Sequence, residues 1–265
     1  MSARDALEGA ETAIAASGSP SARLDAELLL AHVLGVDRTR LYLDRELTVE
    51  GPAVRAFQDL VRRRSVAREP VAYLLGRQAF RHLELQVDSR VLIPRPETEH
   101  VVDAVLEEAP PGARVADVGT GSGAIALALK HERPDLRVTG SDISGDALAV
   151  ARANGERLGL DVEWVLADGV PSLEKGSDPA SKEWDVVASN PPYVADGDPR
   201  VEPGVLAHEP HGALFAGPDG LALIRRLLDG MPAPLVVLEV GDEQAQEVAR
   251  LAKAAGYSRA AARGD

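Results

Sequence analysis

Seven consecutive residues, Asp117-Val118-Gly119-Thr120-Gly121-Ser122-Gly123, place three glycines within five positions, just behind a carboxylate. Backbone without a Cβ can approach a ligand where any side chain would collide, so the stretch suits a cofactor loop. Gly119, Gly121 and Ala124 also satisfy the dinucleotide spacing G-x-G-x-x-G/A, and a plain strand-to-helix turn satisfies it too. Asp117 separates the two cofactors. A carboxylate two residues before the first glycine suits the cationic amino group of a methionine moiety and would repel a pyrophosphate, which favours S-adenosylmethionine. Asp142 lies nineteen residues past Gly123, where a strand-ending carboxylate can accept both ribose hydroxyls of either cofactor. Asp168 ends the next strand and either meets the adenine amino group or caps a helix. The cofactor-facing set is therefore Asp117, Gly119, Thr120, Gly121, Ser122, Gly123, Asp142, Asp168 and its neighbour Gly169, with Asn190 opposite. No metal is expected.

The second group is Asn190-Pro191-Pro192-Tyr193. A carboxamide nitrogen is a poor nucleophile because its lone pair is delocalised into the carbonyl, so an enzyme that alkylates it must orient it and reduce that delocalisation. Asn190 Oδ1 and the Pro191 carbonyl can accept the two N–H bonds of such an amide and aim the lone pair at a sulfonium methyl. Neither Pro191 nor Pro192 offers a competing N–H. The Tyr193 ring can pack beside the flat amide and stabilise charge developing on transfer. Asn190, Pro191 and Tyr193 are the catalytic candidates, and with Pro192 they form the substrate-binding set; the alternative is a double-proline turn with a buried tyrosine.

These loops need a sheet to hold them. After Gly112 the pattern alternates strand and helix: strands at 114–118, 136–141, 162–167, 185–189 and 235–240, with helices beginning at Ser122, Ser144 and Glu243. Such alternation predicts an α/β fold, a doubly wound, Rossmann-like parallel sheet with ligands beyond the carboxyl ends of its strands. Residues 1–78 read as a small helical domain. Leu24, Leu28 and Ala31 form one apolar stripe and Val54, Phe57 and Val61 another, Ser19-Pro20 stands as a helix start, and Gly35 as a stop. Residues 79–95 read as a β-hairpin linker that turns at Asp88-Ser89-Arg90 between Leu83, Leu85, Val87 and Val91, Ile93. The remainder, 96–265, opens with a helix whose apolar face is Val101, Val102, Val105 and Leu106, and 174–181 reads as a surface loop.

Composition narrows the function classes. The net charge of −13 falls entirely after residue 80, since residues 1–80 carry equal numbers of basic and acidic side chains. An acidic catalytic domain is repelled by phosphate backbones, which argues against direct nucleic-acid binding. Arg62, Arg63, Arg64 and Arg68 run the other way, as a solvated face or a docking patch for an acidic partner. No cysteine, no secretory leader pattern and no run of transmembrane length are found, so a cytoplasmic protein is expected.

Taken together, these residues resemble the release-factor glutamine methyltransferase family across nearly the whole chain. The strings PVAYLLG at 70–76 and LIPRPETE at 92–99, the Phe80 hairpin, the glycine loop and Asn190–Tyr193 occur in that family's order. The two linker strings separate it from nucleic-acid amino-methyltransferases that share the tetrapeptide. The resemblance implies S-adenosyl-L-methionine as donor, S-adenosyl-L-homocysteine as product, and the glutamine of a Gly-Gly-Gln loop in class I peptide chain release factors as acceptor. It also implies that the helical domain helps hold that partner and that Arg95–Glu99 lies near the pocket. In the family the position after Asp168 is often aromatic, where this chain has Gly169, and a final antiparallel strand follows, for which 257–263 supplies only the strand before it. Competing readings are a ribosomal-protein glutamine methyltransferase, an adenine or cytosine amino-methyltransferase acting on nucleic acid, a nicotinamide-dependent oxidoreductase and a binding module without turnover.

Overall fold

The computed structural model describes residues 1–44, 47–172 and 184–264, and the surface loop expected at 174–181 lies outside them. The chain forms two compact units, one of Met1–Arg77 with Val201–His208 and one of Gln78–Arg200 with Glu209–Asp265.

The first unit holds helices α1 (Ala3–Ala15), α2 (Ala22–Leu34), α3 (Arg38–Leu43), α4 (Pro52–Val66) and α5 (Val71–Leu75). Ser2 starts α1 with a capping box, its hydroxyl accepting the Asp5 N–H while the Asp5 carboxylate accepts the Ser2 N–H. Helix α2 begins two residues later than the Ser19-Pro20 pattern predicts. The Ser19 and Ser21 hydroxyls both donate to the buried Asp25 at 2.9 Å, and Arg64 Nε joins them at 2.8 Å, so this segment wraps a carboxylate before the helix starts. The buried apolar face of α2 is Ala22, Ala26, Leu29, Leu30 and Ala31, so of the expected stripe Ala31 is buried while Leu24 is exposed. Gly35 ends α2 in the left-handed conformation, as its position predicts. Phe57 of α4 is buried, with Val54 and Val61 against the same core. In the arginine cluster, Arg62 pairs with Asp59, Arg63 with Glu69 and Arg64 with Asp25.

A hairpin of β1 (Arg77–Phe80) and β2 (Leu83–Gln86) follows, its first residue closing the first unit and the rest opening the second. It turns at Arg81-His82, not at Asp88–Arg90. Arg81 adopts φ 49°, and its guanidinium is held by Glu132 at 2.5 Å and Asp103 at 2.7 Å, so ion pairs stabilise a left-handed residue that sequence spacing does not reveal. Asp88 to Val91 forms a second turn, and Val87, Val91 and Ile93 are buried without a strand.

A 3-10 turn (Pro96–Thr98) leads into α6 (Glu99–Glu108), followed by β3 (Arg114–Val118), α7 (Ala124–Glu132), β4 (Arg137–Asp142), α8 (Gly145–Leu158), β5 (Glu163–Leu166) and β6 (Val186–Ser189). Helix α9 (Pro203–His208) belongs to the first unit, where His208 Nε2 lies 2.7 Å from the Ala67 carbonyl. Then come α10 (Ala222–Leu228), β7 (Leu235–Leu238) and α11 (Ala245–Ala254). The five longer-range strands pair in parallel in the order β5-β4-β3-β6-β7. The order reverses between β3 and β6, and ligands of doubly wound sheets bind at such a switch. The core beneath it contains Val115, Leu127, Leu129, Leu136 and Val186, each worth roughly 1.5–3 kcal/mol when fully buried. Trp164 of β5 lies over Gly140 of β4 and beneath Gly123, where the added Cβ of any other residue would collide with its indole. Residues 257–264 form no strand, β7 stands at the sheet edge, and the Tyr257 hydroxyl donates to the Ala233 carbonyl at 3.1 Å.

Candidate active site

Strands β3 and β6 are paired with Asp117 opposite Ala188, and the buried Ser189 hydroxyl donates to the Val118 carbonyl at 2.6 Å. Both sequence motifs thus leave neighbouring strands at the same end of the sheet. In the first loop Gly119, Gly121 and Gly123 have φ of 71°, 56° and 85°. A Cβ on Gly119 or Gly121 would meet no protein atom within 4 Å, so these two positions need glycine for conformation and leave a bare backbone cradle. Gly123 needs it for packing as well.

Asp117 is fully buried below this loop. Its Oδ2 accepts the Thr120 hydroxyl at 2.6 Å and the Ala126 N–H at 3.1 Å, which ties strand, loop and helix together. Its Oδ1 is a buried oxygen with no hydrogen-bond partner among the described residues, and burial pushes its carboxyl up to about 7, with Asp142 adding like-charge repulsion. This differs from direct ligand contact as the spacing suggests it, because the loop covers the carboxylate. Thr120 and Ser122 are also turned inward, 6% and 2% exposed, and the Thr120 hydroxyl is engaged by Asp117. At these two positions only the backbone lines the loop.

Asp142 receives the Gly121 N–H on Oδ2 at 3.0 Å and the Ser144 N–H on Oδ1 at 2.9 Å, which fixes its carboxylate at the end of β4 with lone pairs remaining on both oxygens. Beside it Ile143 is 70% exposed, an apolar side chain held out at the carboxyl end of the strand. Asp168 pairs with an arginine at the surface. Arg226 of α10 donates to both its carboxylate and its backbone carbonyl, each at 2.9 Å, and the same guanidinium nitrogen occupies the space beside Gly169.

At the second motif, Asn190 Nδ2 donates to Thr98 Oγ1 at 2.9 Å, Thr98 donates to Glu239 Oε2 at 2.7 Å, and the Tyr193 hydroxyl donates to Glu239 Oε1 at 3.1 Å. Among the described residues no hydrogen bond reaches Asn190 Oδ1 or the Pro191 carbonyl. Burial and the adjoining Glu239 push the Tyr193 phenol up to about 12, so at neutral pH it is a hydrogen-bond donor and not a base. The Tyr193 carbonyl accepts from Gln244 Nε2 at 2.9 Å, and Gly220, with φ 71°, lies so close to that carbonyl that no side chain could replace it. Thr98 is delivered by a strap that Glu209 secures: this buried carboxylate pairs with Arg95 at 2.5 Å and accepts the Ile93 N–H at 3.1 Å.

The structure therefore brings together Asn190, Tyr193, Thr98 from the 95–99 segment that the resemblance places near the pocket, and, unforeseen from sequence, Glu239. Glu239 could have been noticed as the one charge closing an apolar strand, Leu235–Leu238, at the carboxyl end where ligands bind. Glu209 and Arg226 left no such mark. Among the described residues no cluster of three or more metal-ligating side chains is present, and no helix is long and apolar enough to cross a membrane.

Residues 96–206 match the family model described as the methyltransferase small domain, and residues 5–76 match the one described as the PrmC N-terminal domain. Sheet order, glycine cradle and the Asn-Pro-Pro-Tyr corner define the class: a Rossmann-like, S-adenosylmethionine-dependent methyltransferase. The chain is 42% identical over 232 residues to the release factor glutamine methyltransferase of Koribacter versatilis (strain Ellin345), covering 86% of this chain and 80% of that protein. It is 44% identical over 227 residues to the protein of the same name from Mycolicibacterium smegmatis, covering 85% and 78%. With the one from Moorella thermoacetica the match reaches 98% of this chain and 92% of the relative at 40% identity. The chain belongs to the release factor glutamine methyltransferase family.

Proposed function

We propose that this protein transfers a methyl group from S-adenosyl-L-methionine to the side-chain amide nitrogen of the glutamine in the Gly-Gly-Gln loop of class I peptide chain release factors. The observation that carries this reading is the Asn190 carboxamide. Its Nδ2 is engaged by Thr98, which leaves Oδ1 and the neighbouring Pro191 carbonyl as a pair of acceptors at the sheet's switch point. That pair matches the two N–H bonds of a primary amide, and the family of the relatives separates this acceptor from a base amine.

The residues of the first loop fit the cofactor. Gly119 and Gly121 present open backbone, Asp142 holds a fixed carboxylate for the ribose hydroxyls, Ile143 offers an apolar face to the adenine where Gly169 has none, and the unpartnered Asp117 Oδ1 gives the methionine ammonium a negative charge beneath it. A buried acceptor without a partner costs about 1–3 kcal/mol, and a cation held over the loop would favour its ionised form through space. When bound, S-adenosylmethionine supplies an electrophilic methyl on a sulfonium centre. Asn190 and Pro191 orient the acceptor amide and draw its lone pair out of conjugation, Pro191 and Pro192 present no N–H to compete, and Tyr193 flanks the amide plane. Bound there, the donor would supply the methyl of the new N–CH3 bond and keep the electron pair of the broken S–CH3 bond on sulfur, and the nitrogen's proton would pass to water. The helical unit helps hold the partner, and the substrate places the reaction in the cytoplasm, where translation ends.

Incubation with unmethylated release factor and labelled S-adenosylmethionine, followed by mass spectrometry of the Gly-Gly-Gln peptide, tests the proposal. One methyl on that glutamine is expected. A folded protein that binds S-adenosylhomocysteine but leaves the peptide unlabelled would overturn it.

A further inference from the structure

We infer that Glu239, a positioning residue that need touch neither substrate nor cofactor, fixes the direction of the Asn190 carboxamide through the hydroxyl of Thr98 and holds Tyr193 with its other oxygen. The inference rests on the methyl-transfer reading above and follows from counting protons. An ionised carboxylate only accepts hydrogen bonds. Thr98 therefore directs its single hydroxyl proton to Glu239 Oε2, at 2.7 Å, and can show Asn190 only a lone pair. The atom of Asn190 that lies 2.9 Å from Thr98 must then be the donor, Nδ2, and Oδ1 is turned the other way. A reversed carboxamide would set two acceptors against each other at Thr98, a residue that is 3% exposed. It would also offer the substrate amide a donor in place of an acceptor.

The second oxygen does the same for the ring, since Tyr193 donates its proton to Oε1 at 3.1 Å. Glu239 is set at this place by its own backbone, whose N–H donates to the Ser189 carbonyl at 3.0 Å, so the carboxylate sits one strand away from the residue just before Asn190. Four residues from three separate segments thus share one proton order, which a single charge dictates.

The test is a double-mutant cycle on the full chain. Thr98→Val, which removes the hydroxyl at constant volume, is expected to lower kcat about thirtyfold or more while the KM for S-adenosylmethionine changes less than about threefold, and Thr98→Ser is expected to restore most of the rate. Glu239→Gln introduces a donor that must reverse either the Thr98 or the Tyr193 bond, and about a tenfold loss of kcat is expected. In the Thr98→Val background the glutamine carbonyl can still accept from Tyr193, so adding Glu239→Gln should cost less than about twofold more. Fully additive losses, or a Thr98→Val enzyme as fast as the parent, would overturn the inference. A readout apart from transfer comes from the Tyr193 phenol, faced by Glu239, Arg95 and Glu97 and pushed up to about 12. Ultraviolet titration, with Tyr193→Phe as reference, should show it falling in Glu239→Gln and unchanged in Thr98→Val; no fall in Glu239→Gln would refute the assigned contact. If the parent binds S-adenosylhomocysteine but methylates nothing, the functional reading fails, and the phenol titration together with the Asn190 side-chain amide resonances, which should shift in Thr98→Val, still decides the relay.

Discussion

The loop at 117–123 is held from beneath by its own strand and the next one: Asp117 binds Thr120 and Ala126, and Asp142 binds Gly121. The corner at 190–193 is held by side chains that arrive from residues 98, 239 and 244, 46 to 92 positions away along the chain. One half of the site is a backbone shape, largely determined by which residues are glycine; the other is a relay of polar side chains that exists only once the chain has folded. A backbone cradle should therefore tolerate loss of single side chains with graded effects on affinity, while the relay should fail abruptly in rate.

The contrast is sharpest at Asn190. Asn190→Ala is expected to reduce kcat by about 10³-fold or more, with the affinity for S-adenosylhomocysteine kept within about tenfold, measured by calorimetry beside single-turnover kinetics. Comparable losses in both quantities would break the division between the two halves. Next in size is Asp142→Ala, for which a ten- to hundredfold weaker dissociation constant is expected with kcat at saturation reduced less than about fivefold.

Asp117 gives a pH dependence of intermediate size. Its carboxyl is pushed up to about 7 by burial, above the roughly 3.9 of an unfolded chain, so the stability it contributes is present below about pH 4 and lost as pH rises through 7. A bound ammonium favours the ionised form and works in the opposite sense. Affinity for S-adenosylmethionine should rise by up to about tenfold between pH 6 and 8, and Asp117→Asn should flatten that slope in titrations at fixed ionic strength. The smallest effect belongs to Asp168→Ala. Because Arg226 already engages this carboxylate, cofactor affinity should fall less than about threefold, and a larger loss would return Asp168 to the adenine contact that its position suggests.

These differences also explain what could be seen in the residues alone. The parallel strands and the glycine loop carry short-range signals, apolar runs and residues with special φ, and the observed strands fall within about two residues of the expected ones. The hairpin turn was misplaced because Arg81 is not a turn-forming residue by type; ion pairs with Glu132 and Asp103 from distant helices hold it there. The start of α2 was misplaced because Asp25 draws in two serines and an arginine that lies thirty-nine positions away. Asn190 and Tyr193 were legible as chemistry, and the 95–99 segment as a neighbour of the pocket, but the roles of Thr98 and Glu239 were not, since a threonine beside prolines and a glutamate after a strand acquire meaning only through each other.

The indole of Trp164 rests directly under Gly123, the last glycine of the loop, and against Gly140 at the next strand, while the other tryptophan, Trp184, is fully enclosed and hydrogen-bonded to the Pro171 carbonyl. Any settling of the loop onto an adenosyl ligand must press on that ring from one side. The protein thus carries a built-in optical gauge: the emission of Trp164, isolated by replacing Trp184 with phenylalanine, would report occupancy in real time without a label on either molecule.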